Sequence, residues 1–145
     1  MELSCKSEYA LLALLELANA YQGGEPLQIR QIATQQNIPD RYLEQLLATL
    51  RRQGLVRSQR GAKGGYLLAR EPKAITLLEI IECIEGTECK RSAATAGDTT
   101  LETTIVHDIW DEVDQAVETI LQKYTLQDLL ERRNARRQLD IMYYI

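Results

Sequence analysis

The stretch Asn37-Ile38-Pro39-Asp40-Arg41-Tyr42-Leu43-Glu44-Gln45-Leu46-Leu47-Ala48-Thr49-Leu50-Arg51-Arg52-Gln53-Gly54 places Leu43, Leu46, Leu47 and Leu50 at i, i+3, i+4 and i+7. That is the spacing of a single buried helical face. Pro39 suits a first helical turn, where its missing N–H costs nothing, and Asp40 adds a favourable charge there. Gly54 supplies a stop, so the helix is expected over Pro39–Gln53. Arg41, Tyr42, Glu44, Gln45, Thr49 and Arg52 then fall largely on the opposite, solvent-facing surface.

On the N-terminal side, Leu27–Gln36 repeats Ile29, Ile32 and Ala33 at one-turn spacing and reads as a short helix. Before it, Ser7 is positioned to cap a helix from Glu8 to about Tyr21, ended by Gly23-Gly24. Its wide apolar surface implies contact on more than one side. On the C-terminal side the pattern becomes a hairpin: Leu55–Gln59, a turn at Arg60-Gly61-Ala62-Lys63-Gly64-Gly65, then Tyr66–Ala69. Two short helices with a tight connection, followed by a glycine-tipped basic hairpin, form the pattern of a winged helix-turn-helix. In that motif the second helix enters the DNA major groove and the wing touches phosphate or minor groove. Arg41, Tyr42, Glu44 and Gln45 are the candidates for base and flanking contacts, and Arg51, Arg52, Arg57, Arg60 and Lys63 for phosphate. The alternative is a solvated helix face beside an ordinary hairpin.

Charge supports an anionic partner for this segment. The 145-residue chain is acidic overall, with a net charge of -4. Between residues 41 and 73, however, Arg41, Arg51, Arg52, Arg57, Arg60, Lys63, Arg70 and Lys73 oppose only Glu44 and Glu71. A cationic segment in an otherwise acidic protein points to an anionic partner for that segment alone, which for the winged helix-turn-helix pattern is double-stranded DNA. The length excludes a large multidomain enzyme. Three cysteines, Cys5, Cys83 and Cys89, are too few and uneven for a secreted disulfide scaffold and fit a cytoplasmic, reduced setting. The apolar run Tyr9–Leu17 is preceded by Glu2 and Glu8 and interrupted by Glu16, which argues against an export signal. No apolar stretch approaches the ~20 residues that cross a bilayer, so no membrane partner is expected.

Farther along, Thr76 and Glu79 have capping-box spacing and open a helix to about Glu85, closed by Gly86. Residues 86–100 are small, polar and aperiodic, and read as a loop. Then Ile105, Ile109, Val113, Ala116 or Val117, Ile120 and Tyr124 recur along a helix from about Leu101 to Lys123, ~35 Å long. Such a helix outspans a core this small, and a second copy of the chain is the simplest cover for its stripe. A further cap at Thr125 leads to the pairs Arg132-Arg133 and Arg136-Arg137. The terminal Ile141–Ile145 is expected to dock back onto the body. The fold class expected is therefore mainly α with a small β-hairpin wing: a winged helix-turn-helix domain over 1–85, a loop over 86–100 open to ordering by something bound, and a dimerisation helix with a C-terminal tail over 101–145.

Tyr42-Leu43-Glu44-Gln45-Leu46, Leu50-Arg51, Gly54-Leu55-Val56 and Arg60-Gly61-Ala62-Lys63-Gly64-Gly65-Tyr66-Leu67-Leu68 resemble the signature of the Rrf-two family of bacterial transcription regulators, a likeness that runs from Leu3 to the terminal Tyr-Tyr-Ile. That family includes an iron-sulfur-cluster regulator and a cysteine-metabolism repressor. The resemblance implies a homodimer whose long C-terminal helix makes most of the dimer contact. It also implies a support helix from Gln28 to Gln36, a reading helix from Pro39 to Gln53, and the addition of Gln28, Pro39 and Gly64 to the DNA-contacting residues.

By the same resemblance, iron-sulfur members carry three cysteines before the long helix and a histidine in its first turns. Cys83, Cys89 and His107 match, whereas Thr104 stands at the third cysteine position. Thiolate is the preferred iron ligand and imidazole replaces it at some irons, so this set is incomplete for a 2Fe-2S cluster. Glu8, from the chain's own first helix or the partner's, is the candidate fourth ligand, with Cys5 as another. Otherwise Cys83 is a small buried side chain, Cys89 a loop thiol and His107 a polar helix residue.

Enzymatic chemistry is not expected. Gly61–Gly65 lacks the Gly-Lys-Ser/Thr run of a nucleotide loop. Cys83 and Cys89 are spaced poorly for zinc, and a Cys89–His107 pair lacks an orienting group. Two functions are carried forward. One is a dimeric DNA-binding regulator sensing cluster or redox status through the 86–100 loop. The other is a cluster-free regulator controlled by a regulatory protein partner that the winged domain or the apolar helix binds.

Overall fold

The computed structural model describes residues 3–86 and 100–143, which form six α-helices and one antiparallel hairpin. The helices are α1 (Cys5–Ala20), α2 (Ile29–Gln36), α3 (Asp40–Arg52), α4 (Leu77–Glu85), α5 (Leu101–Lys123) and α6 (Leu126–Tyr143). Strands β1 (Val56–Gln59) and β2 (Gly65–Leu68) pair between α3 and α4, and a one-turn 3-10 segment at Pro72–Ala74 precedes α4.

The hub is α1, which packs against α2, α3, α4, α6 and β2. Its core residues are small or unbranched at Cβ: Ala10, Ala13, Leu14, Leu17 and Ala18 are all buried. Alanines let neighbouring helices come close while the leucines fill the space between them. The helix begins a turn earlier than the expected Glu8. Ser4 is the cap, its Oγ accepting from the Ser7 amide at 3.2 Å. Ser7 is instead buried, and its hydroxyl donates to Glu85 Oε1 of α4 at 2.7 Å. Ser4 Oγ reaches the same carboxylate oxygen.

The helix-turn-helix follows from local chemistry. Asn37 ends α2 in the left-handed conformation (φ 55°), which a short amide side chain tolerates, and Ile38 donates back to the Ala33 carbonyl. Pro39 sits at the cap of α3, one residue outside the first turn expected for it. Leu43, Leu46, Leu47 and Leu50 are buried, each contributing about 2 kcal/mol of apolar transfer. Gly54 (φ 80°) lets the chain reverse into β1.

The hairpin pairs Val56 with Leu68 and Gln59 with Gly65. An isolated bridge then ties the wing to the entrance of α2: Leu27 N–H donates to the Tyr66 carbonyl at 3.0 Å, and Tyr66 N–H to the Leu27 carbonyl at 2.8 Å. Gly65 makes this possible, because a Cβ there would lie 2.4 Å from the Leu27 oxygen.

Thr76 caps α4 as its spacing predicts, its Oγ accepting from the Glu79 amide. α5 spans 23 residues, has no buried residue and packs on α4. Between α5 and α6 the chain crosses residues 75–77 by a second bridge, Leu77 N–H to the Tyr124 carbonyl and Leu126 N–H to the Ile75 carbonyl, both 3.0 Å. Leu126 enters the core, with Leu129 and Leu130 packed against it. The expected docking of the last residues is not what is seen. Every residue from Asn134 to Tyr143 is exposed, reaching 88% at Tyr143, because α6 runs on as a helix past its last contact with the body; residues 144 and 145 lie outside the described residues.

Gly65→Ala should lower unfolding stability by about 2 kcal/mol, because its Cβ displaces the Leu27 backbone. Gly23→Ala, with only an ordinary 3.7 Å contact, should stay within about 0.5 kcal/mol of the parent. Urea titration of both variants checks this.

Candidate nucleic-acid interface and metal-ligand residues

Helix α3 presents Arg41, Tyr42, Glu44, Gln45, Arg51 and Arg52 to solvent while its leucines face inward. Tyr42 is 38% exposed, and its ring meets Tyr9 of α1 edge-on at 5.7 Å, which restricts the ring without burying it. Gln45, Tyr42 and Thr49 border a small hollow shared with Lys6 and Ile84. Lys6 is thus a cation beside the exposed face of α3, although its place among the acidic residues near the N-terminus gave no hint of it. Only the packing of α1 across α3 brings it there.

The two ends of the interface are joined. Arg51 reaches Ser58 of β1 at 3.4 Å, which aligns the helix end with the wing, and Arg52 reaches back to Thr49 of α3 at 3.3 Å. These exposed contacts contribute little energy and mainly restrict side-chain direction. Arg57, Arg60 and Lys63 are exposed on the wing, and none has an ion pair among the described residues. Gly64 donates to the Gly61 carbonyl at 2.9 Å, and a Cβ on it would lie 2.3 Å from the Gln59 oxygen. Its role here is to close the turn. Pro39 is exposed at the head of α3. Gln28 is exposed at the cap of α2, its amide donating to Gln31 Oε1 at 2.8 Å, and the Leu27–Tyr66 bridge sets it beside the wing. The cleft surfaces therefore offer exposed cations and hydrogen-bonding groups on one reading helix and one wing, the chemistry that phosphate and base edges require.

The metal-ligand candidates are arranged differently. Cys83 is half-buried on α4, with Sγ 4.0 Å from the Thr49 carbonyl of α3. Burial pushes its thiol above the ordinary range, which disfavours the thiolate that iron would need. Glu8 and Cys5 are exposed near the start of α1, and His107 is half-exposed on α5. Thr104, at the position of the missing cysteine, turns its hydroxyl to the Thr100 carbonyl at 3.2 Å. Among the described residues no three His, Cys, Asp or Glu side chains converge on one point. Cys89 lies outside the described residues, as does nearly all of the loop at 86–100. The described candidates by themselves do not fit an iron-sulfur cluster. No described helix is long and apolar enough to cross a membrane.

Comparison with known proteins agrees with this geometry. Residues 3–132 match the Rrf2 family, described as an iron-dependent transcriptional regulator. The HTH-type transcriptional regulator CymR of Bacillus subtilis is 36% identical over 145 residues, covering 100% of both chains. The solved structure of CymR (YrzC), the global cysteine regulator of B. subtilis, superposes with a TM-score of 0.77 at 36% identity, over 91% of this chain and 98% of that one. T. potens IscR does so with a TM-score of 0.75 at 34% identity, over 92% and 88%. The named relatives are transcriptional regulators and not enzymes. The exposed reading helix, the wing tied to it and the matches along nearly the whole chain show that this protein belongs to the Rrf2 family of transcriptional regulators, the Rrf-two family its motifs resemble.

Proposed function

We propose that the protein acts as a homodimer on double-stranded DNA, with residues 1–85 as the reading domain, 86–100 as the sensing loop and 101–145 supplying dimer contacts. One observation carries the dimer. Along α5, Leu101, Ile105, Val106, Ile109, Trp110, Val113 and Ile120 are each 38–73% exposed on a helix with no buried residue. An apolar stripe of this length calls for cover, and an identical helix matches it residue for residue. Two chains joined there carry two reading heads, as a two-fold symmetric operator requires. Arg41, Tyr42, Glu44 and Gln45 are assigned to bases and their flanks. Arg51, Arg52, Arg57, Arg60 and Lys63 are assigned to phosphate, with Gln28, Pro39 and Gly64 shaping the approach.

For the signal, the iron-sulfur reading rests on the description of the family as iron-dependent, the IscR likeness and the resemblance that singled out Cys83, Cys89, His107 and Glu8. The cluster-free reading is favoured here. It is supported by the lack of a converging ligand group among the described residues, by Thr104, and by the near-identical length of CymR. In that reading a protein partner supplies control.

Three outcomes are expected. Arg60→Ala should weaken binding to every duplex and reduce the salt slope by about one ion, whereas Gln45→Ala should cost about 1–3 kcal/mol at one base position and relax preference there. Fluorescence anisotropy across a salt series separates the two; unchanged binding in both variants rules out this docking. Ile109→Glu should shift the protein to a monomer in analytical ultracentrifugation, since it places charge in the centre of the proposed contact. Protein purified without oxygen should be colourless and contain no stoichiometric iron or sulfide. A brown protein whose colour is lost in Cys83→Ala would reinstate the cluster.

A further inference from the structure

Glu16 is a carboxylate inside the most apolar stretch of α1, and it is buried. Its Oε1 accepts a hydrogen bond from Gln36 Nε2, at the end of α2, at 2.5 Å. The same oxygen lies 3.8 Å from the Arg133 guanidinium of α6, whose side chain is 16% exposed. Arg133 Nη1 is buried and finds no partner among the described residues. One oxygen therefore serves two elements that share α1 but otherwise pack on different neighbours: α2 on α3, and α6 on the 3-10 segment.

The position of Arg133 along α6 gives this contact leverage. The α5–α6 elbow is pinned at Tyr124–Leu126 by the two backbone hydrogen bonds to residues 75–77. Arg133 is seven residues beyond Leu126, ~10 Å along the helix, and it is the last described α6 residue that is partly buried. A pinned elbow fixes where the arm starts, and a second point fixes its direction. Between these points the contacts are Leu126, Leu129 and Leu130. Apolar packing is non-directional and tolerates a small swing, whereas a shared, desolvated carboxylate does not. The pair is also asymmetric: the carboxylate sits close to Gln36, and Arg133 is left partly unsatisfied. A closer approach to Arg133 would draw Glu16 away from α2.

We propose that Glu16 is a positioning residue: by holding Gln36 of α2 and Arg133 of α6 on one carboxylate, it fixes each reading head relative to α6, part of the 101–145 segment assigned to the dimer contacts. It thereby sets the half-site spacing that a dimer accepts. This rests on the dimeric DNA-binding reading. None of the three residues faces DNA in that reading, so the effect is on geometry and leaves the contacts of a single head intact.

The test uses duplexes that the full-length wild-type protein selects from a random-sequence library. They carry one half-site, both half-sites at the selected spacing, or both with the spacing changed by a base pair. Arg133→Met should lose about tenfold affinity for the selected spacing, bind the single half-site as wild type does, and discriminate poorly between spacings. Glu16→Gln should behave alike, and it carries the test if Arg133→Met fails to melt cooperatively. Arg133→Lys, which keeps the charge, should restore discrimination. Retained spacing preference in folded Arg133→Met and Glu16→Gln overturns the inference, and so does an equal loss on single and double sites, which marks the pair as merely structural. If wild type selects no paired half-sites, the dimeric reading falls and takes the inference with it. If wild type selects them and the variants do too, only the inference falls.

Discussion

Burial of the alanine and leucine faces of α1 is the constraint on which the rest of the molecule depends. Ala10, Ala13, Leu14, Leu17 and Ala18 are enclosed by α2, α3, α4, α6 and β2, so a single helix receives both the reading motif and the C-terminal arm. Burial of this kind is roughly proportional to apolar area, and it holds the leucine face of α3 inward. The outward face of α3 is what remains for a ligand. The arginines on it need no special stabilisation, because the leucines behind them set the helix in place.

Polar contacts then refine what apolar collapse leaves loose. The Leu27–Tyr66 bridge ties the wing to the start of α2, and the Ile75–Leu77 to Tyr124–Leu126 bridge ties the elbow of the arm to the head. Both satisfy backbone groups that would otherwise be orphaned at element ends. Ser4 and Ser7 share the Glu85 carboxylate and fix the end of α4. Glu16, Gln36 and Arg133 do the same between α2 and α6. Each of these ties joins elements far apart in the chain at the edge of the apolar core.

Charge is segregated in the same economy. The basic side chains from Arg41 to Lys63 stand on the solvent side of α3 and on the wing, while the acidic excess lies elsewhere in the chain. Attraction to an anionic polymer is thereby local, and the net negative charge of the remainder discourages indiscriminate association. Cys83 fits the apolar side of this division. Its Sγ lies against the α3 backbone, and burial raises the pKa of its thiol.

The leucine spacing at 43–50, the cap at Thr76, the glycine-tipped hairpin and the apolar stripe at 105–120 are local signals: one-turn periodicity and capping chemistry act within a few residues, so the fold class and the exposed candidates on α3 and the wing were legible from sequence alone. The start of α1 was misplaced because two serines three residues apart both suit a cap, and only the packing that buries Ser7 decides between them. The terminal residues look apolar enough to dock, yet nothing in their order says that α6 passes the end of the body first. Lys6 beside Gln45 and Tyr42, the need for glycine at 65, and the sharing of Glu16 between Gln36 and Arg133 join residues from 20 to more than 100 positions apart. Such meetings depend on how helices cross, a property of packed surfaces in three dimensions that no stretch of sequence contains.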